Sequence, residues 1–520
     1  MLLLKKGPLL FQANSYLAPK MGRLKKLGGE TILYGLSSIV GRFLNYLLFP
    51  LHTLVMQTDS YGIVSELYAM VAFLGVIFLY GMETAFFRFA TKEKEKEKTV
   101  FNTAVTSVLF SSLLLSVLFS SLATPIVNAM GYDGKEHYIY LFAAILALDA
   151  FLAIPFARLR LQGKARTFAA AKFLSILFNI GINVFFLYFC EETVKGKMLE
   201  QFQPLASAIY DPALKVEYVF IANLAANLSM FFILFRSLRG MVLGIDRALL
   251  GRMLSFGYPV LFTSLALVTN EMLSRWALKY WLPDGFYPGF TSQQVLGIFS
   301  GVYKLAIIMN LGVQTFRYAA EPFFFSKAKD KDSPQLFSKT LDVFVLFGCI
   351  VMVGVGTNLD ILQYLLRNED YRVAIHIVPL LLLANLFMGV NYNLSAWYKL
   401  IDFTKAGAYI TITGALLTVL LNWILIPIYG YNGCAMASMA VYFSMCVMSY
   451  TWSRSYNPIP YHVSRIMIHI IIAFSITVLM NLYTPQGGIT ATGIHIALLV
   501  AYVAGLYLVE RKGLLDGGSF

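Results

Sequence analysis

Acidic side chains are scarce in this 520-residue chain, which holds 28 Asp and Glu against 41 Lys and Arg and is only 13% charged. Hydrophobic residues make up 58% of it, and the mean hydropathy is +0.68. A water-soluble domain carries about a quarter of its residues as charges, so that class is excluded. Cysteine is nearly absent too. Cys190, Cys349, Cys434 and Cys446 fall in or beside apolar runs, at spacings that suit neither a metal nor a redox pair. They read as small packing residues, and no disulfide framework is implied. The chain also lacks a P-loop, a zinc-ligand spacing, a nucleophile triad and any long polar loop able to fold as a domain. ATP hydrolysis, metal chemistry and a membrane glycosyltransferase or polymerase are therefore unsupported, and no enzyme is expected. The net charge of +13 raises the question of a nucleic-acid partner. The excess sits in short loops, where membrane orientation alone puts it, so no nucleic-acid partner is expected.

What is present is apolar length. Fourteen stretches of about 20 residues are each long enough to cross a bilayer as a helix. They begin near Thr31, Tyr61, Val100, His137, Ala165, Lys215, Leu249, Val295, Lys339, Tyr371, Thr404, Tyr431, Tyr461 and Ala491. Basic residues alternate between the segments joining them: 29 fall on one side, from Lys5 to Lys512, and 7 on the other, including Lys135, Lys215 and Lys279. Basic loops stay in the cytoplasm, so both termini are expected inside a multi-pass protein of a bacterial cytoplasmic (inner) membrane. The first 20 residues lack a signal-peptide core, and Met21 with its following basic residues would itself make a good cytoplasmic start. The Lys/Glu run from Lys92 to Lys98 reads as a solvated helix extension, and the stretch from Cys190 to Leu214 as a small surface cap.

An internal repeat organises the spans. Tyr61-Gly62-Ile63 opens the second span, which ends at Phe86-Phe87-Arg88-Phe89-Ala90. Leu296-Gly297-Ile298 opens the eighth, which ends at Phe316-Arg317-Tyr318-Ala319. Six spans separate the copies, an even number, so the halves share one orientation about an axis along the membrane normal with a cavity between them. The expected fold is an all-α polytopic membrane protein: two six-helix lobes related by a pseudo-two-fold, plus two C-terminal helices. The boundaries are 1–27 for a basic tail, 28–241 and 242–455 for the lobes, and 456–520 for the last two helices and a short tail.

One segment carries a family resemblance. Leu421-Asn422-Trp423-Ile424-Leu425-Ile426-Pro427-Ile428-Tyr429-Gly430-Tyr431-Asn432-Gly433-Cys434-Ala435 is similar to the LN..LIP.YG..GAA.A turn between helices eleven and twelve of the multidrug/oligosaccharidyl-lipid/polysaccharide (MOP) exporter superfamily. Here Pro427 is expected to end a helix, with Gly430 and Gly433 permitting a tight turn and close packing. Together with Tyr61-Gly62-Ile63 and Pro259, this resembles the polysaccharide-transport branch over about Gly28 to Lys512. The resemblance implies a flippase for undecaprenyl-diphosphate-linked oligosaccharides, such as O-antigen units of lipopolysaccharide, working by alternating access. A lipid II flippase is the alternative, and a multidrug or cation antiporter of the same superfamily a weaker one. A polysaccharide polymerase or glycosyltransferases would be partners. Where many relatives carry Asp-Arg in the seventh helix, this chain has Ser274-Arg275, with Glu271 one turn earlier.

Charges at membrane depth are expensive, so they are the best site candidates. Five basic residues remain inside spans: Arg42, Lys172, Arg275, Lys304 and Arg317. Arg42 and Lys304, one in each lobe, are expected to face a central cavity and hold a diphosphate between them. Arg275 either joins them or pairs with Glu271. Lys172 and Arg317 are expected to snorkel. Asp149, near the midplane, either binds H+ or Na+ and couples transport to that gradient or neutralises Arg42, with Glu271 as second choice. Glu66 and Glu83 read as interfacial. No cofactor is expected beyond the ion gradient.

Overall fold

The computed structural model describes residues 40–41, 43–44, 46–238, 241–327, 332–401, 403–483 and 489–515. Among them are thirteen helices long and apolar enough to span a membrane, and no strand. The first expected span lies mostly outside the described residues. Its far end survives as α1, Leu48–Val55. The rest follow in order: α2 Thr58–Lys92, α3 Glu97–Ser121, α4 His137–Leu161, α5 Ala165–Val194, α6 Lys215–Leu238, α7 Arg247–Trp281, α8 Ser292–Lys327, α9 Ser333–Gly356, α10 Val378–Leu394, α11 Thr404–Tyr429, α12 Tyr431–Tyr456, α13 Val463–Tyr483 and α14 Ile489–Leu515. The chain is thus an all-helical, multi-pass membrane protein. Below, the end of the bundle that gathers the basic loops is the basic end, and the opposite one the far end.

Neighbour relations repeat between the halves. In the first, α3 packs on α4, α4 on α6 and α2, and α5 on α6; in the second, α9 packs on α10, α10 on α12 and α8, and α11 on α12. The halves meet through α2, which lies against α8 and α7. The two repeated tripeptides make that contact. A Cβ on Gly62 would overlap the Gln293 backbone, and one on Gly297 the Thr58 backbone, so both helices approach as closely as they do because these positions are bare. Nearer the basic end, α2 bends at Tyr80-Gly81, where both residues have positive φ, and the bend nests on Gly257 of α7.

Two local expectations change. Pro427 does not end α11, which continues to Tyr429 and stops at Gly430 with φ +58°; a proline in a last turn removes only one ladder bond. Gly433 does pack tightly, its missing Cβ leaving room for the Leu425 carbonyl. The Lys92–Lys98 run breaks the helix instead of extending it, and two of its three acids are held in ion pairs, while Glu95 is exposed. Glu93 pairs with Arg252 at 2.9 Å and Glu97 with Arg158 at 2.8 Å.

Candidate functional site: a cationic cavity between the halves

Six helices turn one face each toward a common cavity, and helical spacing explains which residues reach it. On α2 the cavity residues are Tyr61, Ser65 and Tyr68; on α5, Asn179 and Asn183; on α8, Ser300 and Lys304. Residues three or four apart share a face. His52 from α1, Asn223 from α6 and Arg275 from α7 complete the polar lining, while Leu48, Phe49, Val64 and Val219 fill the remainder. The space amounts to about 910 Å³, counting the part that opens to solvent.

The sign of its charge is unambiguous. Lys304 and Arg275 line the same wall, near enough for each to feel the other's charge, and none of the described lining residues is Asp or Glu. Arg275 lays its guanidinium over the Tyr303 ring, 4.7 Å from the centroid, and points Nη1 at the Met272 sulfur at 3.2 Å. Glu271 acts electrostatically on the Tyr303 and Tyr442 hydroxyls. Two like charges held together in a low-dielectric site favour an anion between them.

Of the residues singled out from sequence, Lys304 and Arg275 come together and Arg42 lies outside the described residues. Asp149 is exposed and is not among the described lining residues of the cavity; it lies beside Asn227 and within Coulombic reach of Lys172 and Tyr68. Lys172 does not simply snorkel; its ammonium lies over the Phe156 ring at 4.6 Å. Arg317 stacks on Tyr392 at 4.9 Å, in a separate recess of about 470 Å³ shared with Lys399. Glu83 pairs with Arg160.

Glu66 is the main correction. Far from interfacial, it is fully buried (0% exposed) where the halves meet at the far end. It accepts hydrogen bonds from Lys279 Nζ at 2.8 Å, Tyr280 Oη at 2.6 Å and Tyr132 Oη. Lys279 also donates to the Met130 carbonyl at 2.7 Å, and Tyr132 to Gln293 Oε1 at 3.0 Å. Burial, and then the Glu66 carboxylate, hold the Tyr132 phenol well above its ordinary range, so it remains a donor. Nearby, Tyr371 Oη donates to the carbonyls of Met56 and Gln57 at 3.1 and 3.0 Å, tying the α1–α2 turn to the second half. His52 was likewise not singled out beforehand. The signal was there: a lone imidazole in the apolar run Leu48–Val55.

No protein-family model matches the chain. An uncharacterized membrane protein of Methanocaldococcus jannaschii is 22% identical over 430 residues, covering 79% of this chain and 94% of that protein. Among solved structures, the lipid II flippase MurJ in an inward closed conformation superposes with a TM-score of 0.71 at 14% identity, covering 93% of this chain and all of MurJ. An inward-facing multidrug resistance MATE family transporter of the MOP superfamily gives 0.61 at 13% identity, covering 84% of this chain and 95% of that one. The chain therefore has the fold shared by MurJ and MATE transporters. The narrower polysaccharide-transport resemblance rests on the motif at 421–435.

Proposed function

We propose that the protein is a flippase that moves polyprenyl-diphosphate-linked oligosaccharide units across the cytoplasmic membrane by alternating access. The observation that carries this reading is the convergence of Arg275 and Lys304 on a cavity whose described lining residues include no carboxylate. A planar guanidinium and a mobile ammonium suit the two phosphates of a lipid diphosphate. The amides of Asn179 and Asn223 and the hydroxyls of Ser65 and Ser300 suit sugar hydroxyls. Arg42 is proposed as a third phosphate ligand. The halves then rock about the α2–α8 contact, with the Glu66–Lys279 cluster closing the far, external end and the basic end facing the cytoplasm. Asp149, and after it Glu271, are proposed as the ion-coupling carboxylates for an H+ or Na+ gradient. The lobes divide at 241–242, glycosyltransferases or a polymerase supply and consume the cargo, and no catalysis is involved.

Lipid II, another polyprenyl diphosphate, is the second substrate that the same geometry accommodates, and the MurJ-like fold favours it. A cavity for organic cations would need the opposite sign. The test is binding of farnesyl-diphosphoglucose and of ethidium to the protein in nanodiscs. Diphosphate binding is expected, weakened about 10- to 100-fold in Lys304→Gln, the loss of one charge-assisted contact. Binding of ethidium alone would overturn the reading.

A further inference from the structure

From the hydrogen bonds on the first-half wall we infer that His52 carries a proton with the anion: it takes one up at Nδ1 when a diphosphate occupies the cavity and gives it back to water when the diphosphate leaves. The inference rests on the anionic-substrate reading above and adds to it a residue and a coupling.

The tautomer follows from neighbours. Asn183 Nδ2 donates to the Asn179 backbone carbonyl at 2.8 Å and to Asn179 Oδ1 at 2.9 Å. A backbone carbonyl can only accept, so the Asn183 amide has one orientation, with Oδ1 toward the imidazole. That oxygen lies 2.9 Å from His52 Nε2. Opposite an acceptor, Nε2 must hold its hydrogen, and Nδ1 is the sole ring nitrogen left to titrate. The bond to Asn183 is kept in both charge states, so the ring gains or loses a proton without moving.

The surroundings decide which state prevails. Facing His52 are Lys304 from α8, whose charge acts on the imidazole, and the Tyr61 ring from α2 at 6.4 Å. Asn179 and Asn183 face it from α5, Tyr68 and Asn223 lie further along the wall, and Arg275 stands on α7. Every charged group in the described lining is a cation. Two exposed carboxylates stand near the cavity but outside its described lining: Asp149 of α4, whose charge reaches Tyr68, and Glu271 of α7, one turn before Arg275, whose charge reaches Tyr303. An imidazolium in the empty cavity would be a third positive charge with no counter-charge in that described lining. A diphosphate diester brings two negative charges to the same place and reverses the balance. Linkage makes the effect reciprocal: an anion that favours the proton is bound more tightly when the proton is present.

The experiment is titration calorimetry of the full chain in nanodiscs, with farnesyl-diphosphoglucose as probe because its diphosphate does not titrate near neutrality. Runs near pH 7 in two buffers of different protonation enthalpy count the protons taken up. Wild type is expected to absorb roughly 0.5 to 1 proton per diphosphate and to bind up to about tenfold more weakly for each unit rise in pH across the titration. His52→Gln keeps an N–H for Asn183 but cannot titrate; it is expected to bind with no uptake and a flat pH profile. His376→Gln, at an exposed imidazole outside the cavity that lies 3.0 Å from Asn432 Oδ1, is expected to retain the uptake. Diphosphate binding by wild type without proton uptake overturns the inference, as does uptake that survives in His52→Gln or vanishes in His376→Gln. Absence of any diphosphate binding in wild type overturns the anionic reading itself, and this inference with it.

Discussion

At the scale of single residues, two buried cationic arrangements do different work. Lys304 and Arg275 face open space, and Lys279 is fully engaged with Glu66, Tyr132 and the Met130 carbonyl. Breaking a buried pair leaves an uncompensated charge, so Lys279→Met is expected to cost about 3–5 kcal/mol. The check is thermal unfolding in detergent, with Glu66→Gln/Lys279→Met recovering much of the loss; a double variant whose loss equals the sum of the two single losses would show that the pair is not coupled. The candidates that the structure brings to one cavity, Lys304 and Arg275, are charges stranded deep in apolar runs, where cost alone marks them. Glu66 escaped because it lies only eight residues into α2, a depth at which a carboxylate normally reaches headgroups. What buries it is the second half, and no local pattern announces a partner 213 positions away. His52 escaped for the opposite reason, since its role depends on an amide orientation four helices on.

At the scale of elements, the α2–α8 contact is a closure made of backbone. Gly297→Val is expected to force the two helices apart, because the new side chain meets the Thr58 carbonyl. Overpacking of this kind costs typically about 1–3 kcal/mol, enough to shift a two-state balance roughly ten- to hundredfold. The readout is labelling of a Ser300→Cys probe by a membrane-impermeant maleimide added from outside. Labelling should accelerate in the Gly297→Val background, and an unchanged rate would show that this contact is not the closure. Element count and order were legible because 20-residue apolar runs are hard to mistake. The meeting of the two tripeptides follows from the repeat, since elements related by a two-fold meet at its axis. The bend at Tyr80-Gly81 and the break at Lys92–Lys98 were not legible. The first is set by nesting on Gly257, the second by ion pairs to Arg158 and Arg252.

At the scale of the whole molecule, charge asymmetry of 29 against 7 basic residues fixes an expected orientation. Alkaline phosphatase fused in the α7–α8 connection at Gly285 should be active, and fused in the α8–α9 connection at Asp332 inactive. The reverse pattern would invert the membrane placement and move the Glu66 cluster to the cytoplasmic side. The sign of the cavity is readable at this scale too: a chain with 28 acids against 41 Lys and Arg has little with which to line an interior negatively.

The last helix shows what such pairing means for assembly. α14 packs on α9, and the span Thr490–Glu510 is almost wholly turned outward, yet it carries two buried ionisable groups. Glu510 meets Arg465 and His469 of α13, and His495 meets Asp360 beyond α9 at 3.3 Å. Neither side of these clasps is comfortable in hydrocarbon alone. A ribosome that has released α13 but not α14 leaves Asp360, Arg465 and His469 waiting for counterparts still in the exit tunnel. α14 therefore neutralises earlier segments as it inserts, and those charges stay without their counterparts until it does.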